Sequence, residues 1–157
     1  MKLIINTAML LLSLCFSYQG LSATDVSEND REYQVLVSLF FDAVRIGNTE
    51  IVEQFIDAGF PVNQRNLQSY TPLMVATYQG EKKAVRLLLD SGADPCLQDK
   101  RGNTAIMGAL LKREISIAKM LYQAECSPEI TNKAGLSLEQ FAELYGQSSV
   151  LNSLKNR

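Results

Sequence analysis

The most constraining feature of this sequence is a repeat period of about 33 residues, a length typical of small helical modules that stack into a solenoid. The period recurs between positions 43 and 142. The residues that share it also share their chemistry, since small residues match small residues and hydroxyl residues match hydroxyl residues. They are Ala43, Ala76, Ala109 and Ala142; Gly47 and Gly80; Gly59 and Gly92; Asn66, Asp99 and Asn132; Thr71, Thr104 and Ser137; and Gly102 and Gly135.

Within each repeat, apolar residues at helical spacing predict two short helices packed face to face. In the clearest repeat, Leu73 and Ala76 mark the first helix, and Val85 and Leu88 mark the second. One helix pair is too small to bury its own apolar face, so about four pairs must stack to form a continuous core. We expect helices at about 31–46, 49–57, 71–78, 82–90, 104–112, 115–123, 137–145 and 147–154, with hairpin-like fingers near 60–70, 93–103 and 126–136.

Several residues mark helix starts. Thr71 is suited to cap a helix N-terminus, and Pro72 then occupies the first helical position, where no hydrogen-bond donor is lost. Ser137 and Gln140 have the spacing of a capping box. Residues 24–30 form a polar lead-in, and Asp30 is expected to cap the first helix.

The third repeat departs from the pattern at two turns. Arg113 stands where the spacing from Gly80 places a glycine, and Glu125 stands where the spacing from Gly92 places another. Glycine is the residue that adopts left-handed backbone conformations without strain. We therefore expect less regular turns in this repeat.

Two segments resemble the ankyrin repeat. Residues 71–76 read Thr-Pro-Leu-Met-Val-Ala, which is similar to the T-P-L-H-x-A motif, and residues 85–94 resemble the second helix and its Gly-Ala-Asp ending. The resemblance covers about 41–146 and is weaker on both sides, as terminal caps are. It implies an all-α solenoid of about four helix-turn-helix repeats joined by β-hairpin-like fingers, within an ankyrin repeat domain at 31–157. The repeats would span about 31–65, 66–98, 99–131 and 132–157.

Residues 1–23 have the layout of a secretory signal peptide. Lys2 precedes an apolar run over 3–16, and Ser22-Ala23 supplies small residues for cleavage. The run is shorter than the roughly 20 apolar residues of a spanning helix. We predict cleavage after Ala23 and export to the periplasm. Secretion from the cell, a lipid anchor at Cys15 and an uncleaved anchored form remain as alternatives.

Composition argues against catalysis. The sequence contains no histidine, which removes histidine acid–base chemistry and histidine metal ligands. Its carboxylates are scattered, and no phosphate-binding loop or serine nucleophile motif is present. A net charge of −2 does not predict nucleic-acid binding. We therefore expect no enzyme, no catalytic residue, no metal and no cofactor.

Two cysteines, Cys96 and Cys126, lie within the repeats. By the resemblance, Cys96 occupies a position that is usually Asn and that reaches towards the next finger, while Cys126 matches Ala93. An oxidising compartment would permit a disulfide. A bridge requires Cα atoms within about 7 Å, whereas packed elements lie about 8–10 Å apart. A disulfide and two buried thiols therefore both remain open.

The resemblance further implies a protein partner bound on the concave face, formed by finger tips and the first helix of each repeat. Exposed tyrosines on that face would anchor the partner. The alternative is an ordinary solvated surface. The positions that match the variable sites of the family are Arg45, Ile46, Leu67, Gln68, Tyr70, Tyr78, Gln79, Lys100, Arg101, Asn103, Leu111, Lys112, Lys133, Leu136, Leu144 and Tyr145.

Two functions fit these expectations. The first is a periplasmic binding module, monomeric alone, which holds a partner such as a catalase or another oxidative-stress enzyme. The second is an immunity protein that neutralises a toxin arriving in the periplasm. An enzyme and a host-directed effector are the remaining alternatives.

Overall fold

The computed structural model describes residues 23–124 and 126–156. The predicted signal peptide lies outside the described residues over 1–22. The turn at Glu125, where the repeat pattern places a glycine, also lies outside them. The described chain contains eight helices and no strand. They are α1 (Ala23–Arg45), α2 (Thr49–Asp57), α3 (Pro72–Gln79), α4 (Lys82–Asp90), α5 (Ala105–Lys112), α6 (Ile115–Tyr122), α7 (Leu138–Leu144) and α8 (Ser148–Lys155).

These bounds agree closely with the predicted helices, except at the start of α1. That helix begins at Ala23, so Asp30 lies inside it and the expectation that Asp30 caps the helix was wrong. The chain divides into two compact units, one ending at Leu36 and the other beginning at Val37. The first holds the beginning of α1. The second holds its last turns and all the other helices.

The second unit is a two-layer stack. The first helices of the repeats, α3, α5 and α7, pack in series, and the second helices, α2, α4, α6 and α8, form the adjoining layer. The alanines that recur once per repeat lie in the buried core, and Ala76, Ala109 and Ala142 are all fully buried. Small side chains at these positions allow neighbouring helices to approach closely.

The predicted caps are present at two helices. Thr71 is the N-cap of α3, and its hydroxyl oxygen accepts a hydrogen bond from the Met74 amide at 3.3 Å. Ser137 and Gln140 form a capping box at α7, in which the Ser137 amide donates to Gln140 Oε1 at 2.9 Å. These local bonds satisfy amides that have no partner within the helix.

The turn at Arg113 keeps the geometry of its glycine counterpart. Arg113 adopts a left-handed φ of 60°, close to the 76° of Gly80 one repeat earlier. The expectation of a less regular turn was therefore wrong at this position. The repeat geometry imposes the left-handed conformation, which is unfavourable for a residue with a side chain.

Among the described residues, no helix has both the length and the apolar character needed to cross a bilayer.

Candidate functional site

Three finger turns are built alike. At each turn, the side-chain oxygen of Asn66, Asp99 or Asn132 accepts main-chain N–H bonds from the residues two and four positions later, at 2.8–3.0 Å. The tip is then closed by a main-chain bond, such as the one from the Asp99 amide to Asn103 O at 3.0 Å. These bonds fix the tips, because Asn and Asp side chains replace main-chain acceptors within the turn.

Neighbouring fingers are joined by equivalent long side chains. Arg65 donates to Ser69 O of its own finger and to Gln98 O of the next finger, both at 2.8 Å. Gln98, one repeat later, donates to Gly102 O at 2.6 Å and to Thr131 O at 2.8 Å. The fingers therefore form a connected row rather than independent loops.

Cys96 and Cys126 are joined by a disulfide, with their Cα atoms 5.5 Å apart. The hydrogen-bonded fingers approach each other more closely than packed helices do, which brings the two cysteines within bonding distance. Of the two arrangements left open by the sequence, the structure contains the bridge. It connects the second finger to the third.

The residues predicted to bind a partner fall into two groups by exposure. Most are exposed, and Leu67 (79%), Ile46 (70%) and Leu144 (65%) are exposed to an unusual degree for aliphatic side chains. Tyr70, Tyr78, Asn103 and Leu136 are half-buried. The other exposed members are Arg45, Gln68, Gln79, Lys100, Arg101, Leu111, Lys112, Lys133 and Tyr145.

Tyr78 is a packing residue as well as a surface residue. Its ring lies against Gly108 of the next repeat, where an added Cβ would be 3.1 Å from Tyr78 Cζ. It also meets the ring of Tyr70 edge-on, with centroids 5.6 Å apart. Truncation of Tyr78 would therefore disturb the stack, so this side chain is not the freely exposed anchor that the sequence suggested.

The environment of Tyr78 disfavours ionisation of its hydroxyl group. Burial, together with the nearby Asp99 carboxylate and Tyr70, raises the pKa of Tyr78 to about 12, although the Arg101 charge acts in the opposite direction. Desolvation and a nearby anion both disfavour the phenolate. At neutral pH the group is protonated, as an ordinary tyrosine hydroxyl is, and can donate a hydrogen bond.

A separate cleft of about 550 Å³ lies between the third and fourth repeats. Ile106 and Tyr122 contribute to its apolar wall, whereas the matching residues one repeat later are Glu139 and Lys155. Lys155 Nζ contacts Glu139 Oε1 at 2.9 Å, and this hydrogen bond lowers the pKa of Glu139 and raises that of Lys155. A charged pair at positions that are apolar in the preceding repeat is typical of a terminal repeat, which faces water on one side.

No group of three or more metal-ligating side chains lies together in the described part of the chain. Sequence reasoning did not identify Arg65 and Gln98 as finger-bridging residues. The sequence did contain a signal for this role, because the two residues are one full repeat apart and both have long side chains that donate hydrogen bonds. Sequence reasoning also did not identify the cleft.

Paired helices in two layers, joined by fixed finger turns, define a helical repeat protein. A family model for ankyrin repeats, in three copies, matches residues 40–132, which is more than half of the chain. The chain belongs to the ankyrin repeat family. Ankyrin repeats are protein–protein interaction modules, and the family is generally not enzymatic.

Relatives come from distant organisms. A protein of Treponema pallidum (strain Nichols), named for its ankyrin repeats, is 33% identical over 109 residues, which cover 69% of this chain and 37% of that protein. The mouse ankyrin repeat domain-containing protein 63 is 33% identical over 121 residues, which cover 73% of this chain and 31% of that protein. A Pseudomonas aeruginosa protein, also named for these repeats, is 42% identical over 60 residues, which cover 38% of this chain and 35% of that protein. The matched region is thus about a third of each relative.

Some relatives have other named activities. A serine/threonine-protein kinase of Arabidopsis thaliana is 34% identical over 100 residues, but the match covers only 22% of that kinase. The similarity therefore concerns a part of the kinase and carries no catalytic assignment to this chain.

Proposed function

We propose that this chain is a periplasmic binding module that holds a partner protein on its tip face. The tip face is defined as the finger turns 66–70, 99–103 and 132–136 together with the exposed C-terminal ends of the first helices. The observation that carries the proposal is the exposure of large aliphatic side chains on this face, with Leu67 at 79% and Leu144 at 65%. A single exposed apolar side chain is ordinary, but a group of them rimmed by polar residues marks an interaction site, and Ile46, Leu67, Leu111 and Leu144 all belong to this face.

The rigidity of the face supports the same proposal. Its turns are held by internal hydrogen bonds, and the Cys96–Cys126 bridge links two fingers. A surface that is already ordered loses less entropy when a partner binds. The face is therefore suited to recognition without rearrangement.

The compartment is inferred from two independent features. The N-terminal sequence has the pattern of a secretory signal. A structural disulfide persists in oxidising compartments and is rare where thiols are kept reduced. Both features favour the periplasm over the cytoplasm.

The test is capture from a periplasmic extract, with the full chain expressed from its own leader and carrying a C-terminal tag. Release of the tagged chain by osmotic shock would support the compartment, and its retention with the cytoplasm would contradict it. Mass spectrometry would identify the retained protein. A catalase or another oxidative-stress enzyme would indicate a helper, whereas a toxin bound at nanomolar Kd or tighter would indicate an immunity protein.

A matched pair of variants locates the binding surface. Leu67→Ala with Leu144→Ala should weaken binding of the captured protein by about 10- to 100-fold, as expected for anchors in an interface. Ile115→Ala removes a side chain that is 53% exposed at the start of α6, outside the tip face, and should leave binding unchanged. Equal effects of the two variants would contradict the assignment of the tip face.

A further inference from the structure

The finger turns carry a charge opposite to that of the whole chain. The chain has a net charge of −2, yet the three turns contain the cations Lys100, Arg101 and Lys133 and a single acidic residue, Asp99. Asp99 is only 7% exposed, and its Oδ1 accepts N–H bonds from Arg101 and Asn103. The acidic side chain is therefore turned inward, while the three cations are exposed.

The three cations belong to one continuous row across adjacent fingers. Lys100 Nζ donates to Leu67 O of the preceding turn at 2.9 Å, and the Lys133 amide donates to Arg101 O at 2.9 Å. None of the three forms a salt bridge with any described residue, since the ion pairs there are Arg45–Asp42 and Lys155–Glu139. A carbonyl acceptor orients the Lys100 ammonium without neutralising its charge.

An apolar side chain adjoins this row, and a tyrosine hydroxyl feels its charge. The Arg101 charge acts on the Tyr78 hydroxyl, which is protonated at neutral pH as an ordinary tyrosine hydroxyl is. Leu67, whose carbonyl binds Lys100, exposes its own side chain. Cations and an exposed apolar side chain thus adjoin each other, and the Tyr78 hydroxyl feels the charge of Arg101.

We propose that this row, namely Lys100, Arg101 and Lys133 with the Tyr78 hydroxyl, binds the carboxylates of an acidic polypeptide segment that also carries aromatic side chains. The ammonium groups and the guanidinium would pair with Asp or Glu. The exposed leucine and the Tyr78–Tyr70 pair would contact apolar or aromatic residues between them. The inference rests on the proposed function of the tip face and adds the chemistry of the partner.

The observations favour a protein segment over a nucleic acid. Three cations on an acidic chain provide a small field compared with that of a protein that makes roughly 6–10 phosphate contacts to DNA. Apolar side chains next to the cations match alternating charged and aromatic residues better than a continuous polyanion. The partner is thus expected to present glutamate or aspartate with interspersed tyrosine or phenylalanine.

The test uses the full oxidised chain and a defined probe, a fluorescent random copolymer of glutamate and tyrosine in a 4:1 ratio. Fluorescence anisotropy would give the Kd at 20 and 150 mM NaCl. The charge reversal K100E/R101E/K133E should weaken binding at least 30-fold at 20 mM NaCl. Wild-type binding should weaken at the higher salt concentration, because exposed charges are then screened more strongly.

Two control variants sharpen the result. K82E/K83E/R86E changes the net charge by the same amount on α4, outside the tip face, and should alter the Kd by less than about twofold. Tyr78→Phe keeps the ring against Gly108 but removes the hydroxyl, and should weaken binding by about 3- to 5-fold. Circular dichroism would verify that all variants are folded.

Three outcomes would overturn the inference. Equal losses in the two charge-reversal variants would mean that total charge governs binding. Wild-type affinity in the K100E/R101E/K133E variant would mean that the row does not bind the probe. Tighter binding of phosphatidylglycerol vesicles or single-stranded DNA than of the copolymer, lost in the same variant, would assign the row to another class of anion.

The design separates this inference from the proposed function. If the captured partner is lost with the Leu67 and Leu144 substitutions but retained by K100E/R101E/K133E, the tip face binds a partner and the charge inference is wrong. If the copolymer binds through the row but the tagged chain is retained with the cytoplasm, the proposed periplasmic function is contradicted and the charge inference stands.

Discussion

The two boundaries between successive fingers use different chemistry at matching positions. At the first boundary, between fingers 60–70 and 93–103, Asn63 Oδ1 accepts a hydrogen bond from the Asp94 amide at 2.9 Å. At the second boundary, between fingers 93–103 and 126–136, Cys96 matches Asn63 one repeat later and is bonded to Cys126. One boundary is held there by a hydrogen bond and the other by a covalent bond.

The finger tips differ in the same way, since they are linked more directly at the second boundary than at the first. In the second finger, a Cβ on Gly102 would lie 2.6 Å from the Lys133 amide, and that amide donates to Arg101 O. In the first finger, the matching residue is Ser69, with φ of 66°. There the contact to the next tip is made by the Lys100 side chain with Leu67 O. Glycine allows the main chains to meet, whereas at the first boundary a long side chain spans the distance.

The largest expected effect tests the covalent link. Replacing Cys96 and Cys126 by Ser should lower the free energy of unfolding by about 3–4 kcal/mol, because the bridge closes a loop between residues separated by 30 positions. Urea denaturation would measure it. The wild type in dithiothreitol should match the variant, and the variant should not respond to the reductant. An unchanged midpoint after reduction would show that the bridge does not stabilise the boundary.

The next effect tests the main-chain contact. Gly102→Ala should destabilise the chain by about 2–3 kcal/mol, since it adds steric conflict to left-handed strain. Gly135→Ala is the matched control, because its φ of 78° is nearly the same as the 79° of Gly102 but an added Cβ meets nothing within 4 Å. The control should cost about 1 kcal/mol. Equal losses in thermal or urea denaturation would mean that the close approach of the tips is unimportant.

A smaller loss is expected at the first boundary. Asn63→Ala removes the acceptor for the Asp94 amide and should cost about 1 kcal/mol, the usual net contribution of one hydrogen bond. Asn63→Asp retains an acceptor oxygen and serves as the control in the same urea titration. A loss as large as that of the cysteine variant would erase the distinction between the two boundaries.

The smallest effect is a gain. Ser69→Gly should stabilise the chain by about 0.5 kcal/mol, because relief of left-handed strain exceeds the added entropy of the unfolded chain. Arg113→Gly relieves the same strain at φ 60° in a helix-to-helix turn, away from the finger boundaries. A larger gain at Ser69 than at Arg113 would indicate that, without the Ser69 side chain, the main chains of the first and second fingers also come closer together. Destabilisation by Ser69→Gly would show that its side chain supports the finger.

Much of the fold followed from local patterns in the sequence. The regular spacing of matching residues predicted the repeats, and the caps at Thr71 and Ser137 were identified correctly, because these bonds join residues three positions apart. The start of α1 was not predicted correctly, because the polar residues 24–30 lack the regularly spaced apolar residues that indicate a helix. Arg113 was misjudged because the repeat imposes its backbone conformation against the residue's own preference.

The sequence by itself therefore determined the repeat length and the helix pairs, and it left the pairing of the two cysteines open. Only the tertiary structure decided that Cys96 and Cys126 lie within bonding distance, that Tyr78 packs on Gly108, and that Lys100, Arg101 and Lys133 form one row. These contacts join residues that lie about one repeat apart in the chain. Their distances depend on how closely successive fingers stack, which is set by main-chain approach and side-chain volume in three dimensions.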